Sequence, residues 1–334
     1  MAVTLKEVAA LAGVSRSAVS RTYTEGASVS AKTRSKVTKA AADLGYSPNA
    51  LASSLTTGRT KMIGLVSDNF HNPIFLEVFD LFTRGLQERG LRPLLVNLTD
   101  ETDPEASVRM LRQYSVDGVI VASSTLPPGF AKAFRDAGVP VVHSFGRHTD
   151  TPPVDVLGIN NISAGRLAAQ TLIDRGYQRL GFLGGPEQAT STQDRLQGFS
   201  QRIAENPELS LSTSFATAYS FEAGRTEMQN LLQSEIAEAY FCGDDVLSFG
   251  VLSALQSAGL NAPQDVGILG LNDMEMAGWA NLNLTTINNP ISEIIDASID
   301  RVTVLIKDPD GAPLAQLFDC ALVERGTLRP LLEV

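Results

Sequence analysis

Residues 4–23 have the sequence TLKEVAALAGVSRSAVSRTY, a pattern that predicts two short helices joined by a tight turn. Thr4 and Glu7 have the spacing of a helix-capping box, and small apolar residues recur after them at helical intervals. Gly13 interrupts this first helix, and Ser15 can cap a second helix over Ser15–Tyr23. Two helices around a glycine-containing turn are typical of a helix-turn-helix.

The predicted second helix carries long polar side chains on one face, with Arg16, Ser17 and Arg21 among them. Arginine can bind guanine through two hydrogen bonds, and serine can bond to either kind of base edge. A third helix is expected from about Ser30 to Gly45. A plain helical cap with a solvated charged face would also produce this pattern, but the turn and the two caps agree on DNA binding.

The charge of the chain differs between its two ends. Residues 1–60 contain eight Lys or Arg and three Asp or Glu, a net charge of +5, whereas the whole chain carries −10. The remainder is therefore strongly acidic. A basic end on an acidic body indicates that the amino-terminal region alone meets nucleic acid.

The segment after the third helix could form a short hinge. Pro48 suits a first helical turn, and residues 48–56 could make a two-turn helix that is too short to be stable alone. Leu51 and Leu55 would lie on one face of it. A leucine in this position can wedge between base steps from the minor groove, although an ordinary linker would explain the segment too.

The rest of the chain alternates short apolar runs with amphipathic helices. The candidate strands are Met62–Val66, Pro93–Val96, Gly118–Val121, Val139–Val142, Val156–Ile159, Leu180–Leu183, Ala239–Cys242 and Val266–Leu271. Helices are expected between them, for example at Ile74–Glu88, Ala164–Arg175, Gln193–Ile203, Phe221–Gln233 and Val246–Ala258. This alternation predicts an α/β fold with parallel sheets, and roughly 270 residues are enough for two lobes.

Ligands of such folds bind beyond the carboxyl ends of the strands, where polar residues recur in this sequence. The residues at those ends include Ser67, Asp68, Phe145, Gly146, Arg147, Asn160, Asn161, Ser191, Arg195, Asp244, Asp245, Asn272 and Asp273. Carboxylates, amides and an arginine suit hydroxyl groups, and Phe75, Phe145, Tyr219 and Trp279 offer flat apolar faces. The set favours a sugar or a nucleoside-like ligand. Helix capping explains Asn160, Asn161 and Asp244 equally well.

Composition restricts the classes of protein that remain. The 334 residues are 43% hydrophobic, which is enough for two or three domains, and the two cysteines are too far apart for a metal motif. Neither a signal-peptide pattern nor an apolar run of roughly 20 residues is present. We expect a cytoplasmic protein that enters no membrane and needs no cofactor and no metal.

Two other classes of protein were considered. A Rossmann dehydrogenase would need Gly-x-Gly-x-x-Gly after a strand, which Gly181-Phe-Leu-Gly184-Gly185 does not provide. A hydrolase would need a nucleophile elbow with a histidine, and the three histidines, His71, His143 and His148, do not suggest one. The alternative is a solute-binding receptor of the periplasmic sugar-binding type, which the body alone would permit but the helix-turn-helix argues against.

The whole chain resembles the LacI/GalR family of bacterial transcription regulators. The amino-terminal resemblance rests on Thr4-Leu-Lys-Glu-Val-Ala, Ala12-Gly-Val-Ser15, Val19-Ser-Arg21, Val29-Ser-Ala-Lys-Thr-Arg34 and Leu44-Gly-Tyr46-Ser-Pro48-Asn-Ala-Leu-Ala52-Ser-Ser-Leu55. In the body, Asp194-Arg-Leu-Gln-Gly198-Phe and Asn272-Asp273 to Leu284-Thr-Thr-Ile287 match in the same way. The resemblance implies a homodimer, a pseudo-palindromic operator and a regulator, expected to repress, whose affinity for DNA a small ligand controls.

The resemblance also implies a division into domains. A small all-α helix-turn-helix headpiece would occupy 1–46, and a hinge helix with its linker 47–60. An effector-binding and dimerisation domain of the two-lobed α/β periplasmic-binding-protein type would occupy 61–334. Its lobes would comprise 61–160 with 290–325, and 161–289.

Individual site residues follow from the same resemblance. The predicted DNA contacts are Thr4, Arg16, Ser17, Ser20, Arg21, Ser30, Thr33, Arg34, Asn49, Ala52 and Leu55. The predicted effector contacts are Ser67, Phe75, Phe145, Arg147, Ser191, Arg195, Tyr219, Asp245, Asp273 and Trp279. The chain departs from the family at Ser53, where many relatives carry a basic residue, and at Asn160-Asn161, where Asp-Asn is usual.

Overall fold

The computed structural model describes residues 3–24, 26–49, 54, 57–68, 70–98 and 103–332, and the chain divides into two compact units, 1–61 and 62–334. The first unit contains three helices: α1 (Leu5–Ala12), α2 (Arg16–Thr22) and α3 (Ala31–Leu44). Its small core has Val8, Val19 and Val37 fully buried, one from each helix. Residues 50–53, 55 and 56 lie outside the described residues, and with them most of the predicted hinge helix, Ala52 and Leu55.

Local capping sets the ends of these helices. The Glu7 carboxylate accepts hydrogen bonds from Thr4 N and Thr4 Oγ1 at 2.7 and 2.8 Å. Gly13 ends α1 in the left-handed conformation at φ +65°, which costs glycine little. Ser15 Oγ then accepts from Ala18 N, and Ser30 Oγ accepts from Thr33 N, each at 3.2 Å. The caps at Thr4 and Ser15 therefore lie where the sequence predicts them, and α3 begins close to the predicted Ser30.

The second unit contains two mainly parallel six-stranded sheets. Lobe 1 holds β1 (Met62–Ser67), β2 (Arg92–Asn97), β3 (Gly118–Ala122), β4 (Val141–Ser144), β5 (Asp155–Ile159) and β11 (Ala315–Phe318), in the order β11-β5-β4-β3-β1-β2. Lobe 2 holds β6 (Arg179–Gly184), β7 (Ser210–Phe215), β8 (Ala239–Cys242), β9 (Gly267–Asn272), β10 (Thr286–Asn288) and β12 (Ala321–Val323), in the order β12-β10-β9-β8-β6-β7. Only β12 pairs antiparallel, with β10.

Helices connect these strands. Lobe 1 contains α4 (Ile74–Glu88), α5 (Pro104–Gln113), α6 (Pro128–Asp136) and α11 (Ile291–Lys307), and lobe 2 contains α7 (Asn161–Ile173), α8 (Thr190–Ala204), α9 (Phe221–Leu231) and α10 (Asp245–Ser257). A short 3₁₀ turn spans Glu275–Gly278. The chain passes between the lobes three times, after β5, after β10 and after β11. Loops that follow strands of both sheets line a common cleft between the lobes.

Two features of the sheets differ from the sequence-based expectation. The predicted strand Val139–Val142 begins at Val141, because Val139 N donates to Phe134 O and closes the turn after α6. The strands β7, β10, β11 and β12 were not predicted. Strand β7 has the sequence SLSTSF and lies at a sheet edge with much of its surface exposed, so it lacks the apolar run that marks a buried strand.

Candidate nucleic-acid interface and effector cleft

Helix α2 presents a polar face to solvent. Val19 and Thr22 are buried against the other two helices, whereas Arg16, Ser17 and Arg21 are exposed. Because these side chains are one turn or one position apart, they form a single outward face that carries two cations. Among the described residues this face has the donors that can reach base edges in a major groove.

The other predicted DNA contacts that the structure describes lie at or near the surface of the first unit. Thr4 and Asn49 are exposed, and Ser20, Ser30 and Thr33 are exposed or half-buried at helix ends and edges. Arg34 has a structural partner, since its Nη1 donates to Thr22 O at 2.8 Å and joins α3 to the end of α2. The geometry leaves the role of each of these residues toward DNA as a prediction.

A cleft lies between the carboxyl ends of the two sheets of the second unit. Its lining includes Asn72, Ile74, Phe75, Val78, Ser124, Phe145, Ile159, Asn161, Arg195, Tyr219, Asp244, Asn272, Asn289 and Ile291. Four of the predicted effector contacts are in this set: Phe75, Phe145, Arg195 and Tyr219. The cleft thus combines aromatic and aliphatic walls with a group of amides, a carboxylate and a guanidinium.

Arg195 is the buried cation of the cleft. It lies in α8 with 4% of its surface exposed, its Nε donates to Asn161 Oδ1 at 2.8 Å, and its Nη1 donates to the carbonyl oxygen of Gly243. The two fixed bonds orient the guanidinium rigidly. Asn161 keeps its amide hydrogens, and Arg195 keeps further N–H groups, for a ligand.

Asp244 is the buried anion of the cleft. Its Oδ1 accepts from Val246 N at 2.9 Å, which caps α10, and its Oδ2 accepts from the side-chain amides of Asn72 and Asn272, each at 2.9 Å. Burial raises the pKa of Asp244 to about 6, although the nearby Arg195 and these donors oppose the shift. Asp244 therefore caps α10 and also lines the cleft. The sequence had left open whether it caps a helix or faces a ligand.

Two of the residues that line the cleft have strained backbone conformations. Phe145 has φ +64°, and Asn272 and Asp273 have φ +125° and +57°, conformations that side chains other than glycine rarely adopt. Strained residues of this kind concentrate at binding sites, where the surrounding structure enforces them. Of the three strained residues, Phe145 and Asn272 line the cleft.

Six predicted effector contacts lie outside the cleft lining. Asp245 faces away from it and accepts from Thr286 Oγ1 and Met274 N at 2.5 and 2.8 Å. Asp273 pairs with Arg325 at 2.7 Å, and Arg147 pairs with Asp194 of the other lobe. The last three are Ser67, which is fully buried at the end of β1, Ser191, which is buried 3.3 Å from Tyr219 Oη, and Trp279, which is half exposed.

Residues next to the predicted ones take the places at the cleft. Asp244 lies there instead of Asp245, and Asn272 instead of Asp273, whose carboxylates bond to Thr286 and Met274 and to Arg325. Asn72, Ser124 and Asn289 were not singled out by sequence. Their signal was only a polar residue in a loop, which is too common to be selective.

The buried carboxylate of Asp245 makes the stability of the protein depend on pH. Burial raises the pKa of Asp245 to about 7, so the folded protein holds a proton there that the unfolded chain releases at lower pH. Between pH 5 and 8 this group therefore makes the free energy of unfolding fall as pH rises. Urea unfolding of the whole chain at several pH values should show that Asp245→Asn removes part of this fall.

Comparison of the two proteins removes most of the contribution of other groups. Two of these groups are His143, which is fully buried and whose pKa burial lowers to about 4, so that it opposes the trend of Asp245, and Asp244, whose pKa burial raises to about 6, so that it follows that trend. Parallel pH profiles of the wild type and Asp245→Asn would contradict the assignment.

The described part of the chain has neither a metal-binding cluster nor a membrane-spanning helix. It contains no group of three or more His, Cys, Asp or Glu side chains placed to hold a metal ion. None of its helices is long and apolar enough to span a bilayer. Both free cysteines, Cys242 and Cys320, have pKa values raised by burial, to about 12 and about 11.

Comparison with known proteins assigns each unit to a family. Residues 4–49 match the model of bacterial regulatory proteins of the lacI family, and residues 169–328 match the periplasmic binding protein-like domain. The chain is 32% identical over 329 residues to the ribose operon repressor of Escherichia coli K12, covering 97% of this chain and 99% of that protein. It is 31% identical over 319 residues to the transcriptional regulator CelR of Thermobifida fusca, with 92% and 94% covered.

Solved structures agree with these matches. The structure of the lac repressor dimer bound to operator and the anti-inducer ONPF superposes with a TM-score of 0.87 at 25% identity, covering 99% of this chain and 100% of that one. The CelR–cellobiose complex superposes with a TM-score of 0.72 at 28% identity, with 97% and 99% covered. Both similarities extend over headpiece and body.

Proposed function

Because the chain belongs to the LacI family and is a DNA-binding transcriptional regulator rather than an enzyme, we propose which of its residues read DNA and which hold its effector. The exposed face of α2 reads the operator, and the cleft of the second unit binds a neutral, hydroxyl-rich molecule of the sugar class. The observation that carries the effector assignment is the buried Arg195–Asn161–Asp244 group at the cleft.

Arg21 is the residue of α2 that we assign to base reading. It is exposed at the end of the helix away from the cap, and Arg16 lies on the same face. Arg34, in contrast, donates a hydrogen bond from one guanidinium nitrogen to Thr22 O within the first unit. Arg21 and Arg34 can therefore be compared directly, because we assign Arg21 to base recognition and Arg34 to the structure of the first unit.

Arg21→Ala is expected to weaken binding to the operator by about 1–3 kcal/mol, because a bidentate contact to a base is lost. The loss should concentrate at one base pair of each half-site. Binding titrations against operators with single base changes measure it. Arg34→Ala should instead lower the stability of the first unit, and a loss of affinity that is uniform over all sequences would make Arg21 a phosphate contact.

The donors and acceptors at the cleft favour hydroxyl groups as the ligand chemistry. Asn161 and Arg195 offer N–H donors, the buried Asn289 Oδ1 makes no hydrogen bond among the described residues, and Asp244 accepts. A sugar hydroxyl can both donate and accept, so one ring can serve all of them. Phe145 and Tyr219 supply the apolar walls on which a sugar ring packs. Relatives named for ribose regulation and complexed with cellobiose support the same class.

Thermal unfolding of the whole chain against pentoses, hexoses, disaccharides and nucleosides tests this class. A ligand at about 100 times its Kd stabilises the folded state by about 2.7 kcal/mol, which should raise Tm by about 5 °C. A shift with a neutral sugar supports the proposal. A shift with nucleosides alone would replace it with a nucleoside effector.

The partners follow from the relatives. We assign a homodimer on a pseudo-palindromic operator, since the matched lac repressor structure is a dimer bound to operator. A regulator that binds chromosomal DNA works in the bacterial cytoplasm, and we place the protein there. Repression is the role that the names of the ribose, purine and lac regulators support.

A further inference from the structure

Asn72 makes a hydrogen bond between the two lobes. It lies in the loop between β1 and α4 of lobe 1, only 2% exposed, and its Nδ2 donates to Asp244 Oδ2 of lobe 2 at 2.9 Å. Its Oδ1 accepts from Ile74 N at 3.2 Å, so the side chain is fixed at the start of α4 and cannot turn away cheaply. The bond therefore depends on the distance between the lobes.

A second contact between the lobes lies near the first. The carbonyl oxygen of Ser124, in lobe 1, accepts from Ser191 N at 3.3 Å and from Thr190 Oγ1 at 3.1 Å, both in lobe 2. Ser191 is in the first turn of α8, where the helix itself supplies no acceptor for its amide. The hydrogen of this amide is therefore protected only while the lobes are together.

With these contacts made, little space is left inside the cleft. Its volume is about 40 Å³, enough for a few water molecules, whereas small-molecule sites usually measure about 300–1,000 Å³. A sugar cannot enter unless the lobes separate. Separation must break the bond from Asn72 to Asp244, because its two atoms belong to different lobes.

When the lobes separate, Asp244 needs another donor in place of Asn72, and water or a ligand can supply one. The carboxylate keeps Asn272 and Val246 N within lobe 2, yet it is buried, and a buried carboxylate that loses a donor is costly. A ligand hydroxyl is such a donor. A ligand hydroxyl and the Asn72 amide would thus compete for Asp244 Oδ2.

We propose that Asn72 and Asp244 form a latch that holds the cleft shut until an effector hydroxyl replaces Asn72 on Asp244. The effector step rests on the proposed function, whereas the latch itself does not. While the latch is closed, only the small fraction of open molecules can bind, so the latch lowers the apparent affinity for effector by that fraction. Asn72 is a positioning residue that acts through Asp244.

Amide hydrogen exchange of the whole chain without ligand tests the latch. Asn72→Ser keeps an oxygen that can accept from Ile74 N, since serine serves well at helix starts, but it is too short to reach Asp244. Exchange at Ser191 is expected to become about tenfold faster or more, because the lobes separate more often. Exchange in the middle of α8 should stay the same.

Asp103→Ser is the control. Asp103 Oδ1 accepts from Glu105 N at 2.9 Å and caps α5, so this variant also replaces a capping side chain by serine, at a helix start of lobe 1 that lies neither in the cleft lining nor in a connection between the lobes. Unchanged exchange at Ser191 in Asn72→Ser, or equal acceleration in both variants, would overturn the proposal. If Asn72→Ser fails to fold, Asn72→Gly removes the side chain at a position where glycine is tolerated, and the same readout decides.

The two proposals fail separately. If no sugar shifts Tm but the Ser191 amide exchanges faster in Asn72→Ser, the latch is supported and the proposed sugar class of effector is rejected. If a sugar binds and Asn72→Ser binds it no tighter than the wild type, the competition for Asp244 is wrong.

Discussion

Arg195→Ala is expected to abolish the response of operator binding to effector. The variant removes the guanidinium that orients Asn161 and balances the charge of Asp244 inside the cleft. It also leaves a buried carboxylate without its nearest cation, which should lower the free energy of unfolding by about 3 kcal/mol. Binding of the sugar, followed by calorimetry or by the shift of Tm, should weaken by at least about tenfold.

Two further variants make this result interpretable. Arg195→Lys keeps the charge beside Asp244 and preserves the fold, but one ammonium group cannot replace a planar fork that already bonds Asn161 and Gly243. Arg202→Ala removes an arginine two turns along α8 that bonds Gln170 and Glu205 away from the cleft. It should leave the response intact. A normal response in Arg195→Ala and Arg195→Lys would show that the effector binds elsewhere.

Gly198→Ala is expected to destabilise lobe 2 severely. Helices α7 and α8 approach each other backbone to backbone, and a Cβ at Gly198 would overlap the carbonyl oxygen of Ile162. Gly165 faces the carbonyl of Arg195 in the same way. Backbone cannot move aside as a flexible side chain can, so the cost should be about 3 kcal/mol and the loss of Tm roughly 5–10 °C.

Gly129→Ala is the control for that substitution. Gly129 lies exposed in α6 with no heavy atom within 4 Å of the Cβ position, so alanine there should stabilise the helix by about 0.5–1 kcal/mol. The same Gly→Ala change is thus expected to raise the free energy of unfolding at Gly129 and to lower it at Gly198. Because Arg195 lies one turn before Gly198, the destabilised variant should also bind effector less tightly. Equal Tm values for wild type and Gly198→Ala would contradict the close approach of the helices.

Local signals in the sequence were enough for the three helices of the first unit and for the buried strands of the sheets. The caps at Thr4 and Ser15, the turn at Gly13 and the start of a helix near Ser30 depend on neighbouring residues only, and the structure has them where they were predicted. The buried parallel strands appear in the sequence as apolar runs. The polar edge strand β7 gave no such signal.

The cleft was harder to predict because its geometry is not local. The choice between Asp244 and Asp245 depends on how the turn after β8 directs each carboxylate, and both carry the same side chain in adjacent positions. Asn72 and Asn289 reach the cleft only through the association of two lobes that are far apart in sequence. Residue type and position after a strand identified a set of candidate residues, but the sequence does not show which of them face the cleft.

The measurement that tests the central claim most directly is operator affinity of the whole chain with and without the sugar that raises its Tm. If the cleft and the reading face of α2 are coupled, saturating sugar should change operator affinity by about tenfold or more, and Arg195→Ala should show no change. A sugar that binds and stabilises the protein but leaves operator affinity the same would contradict the account.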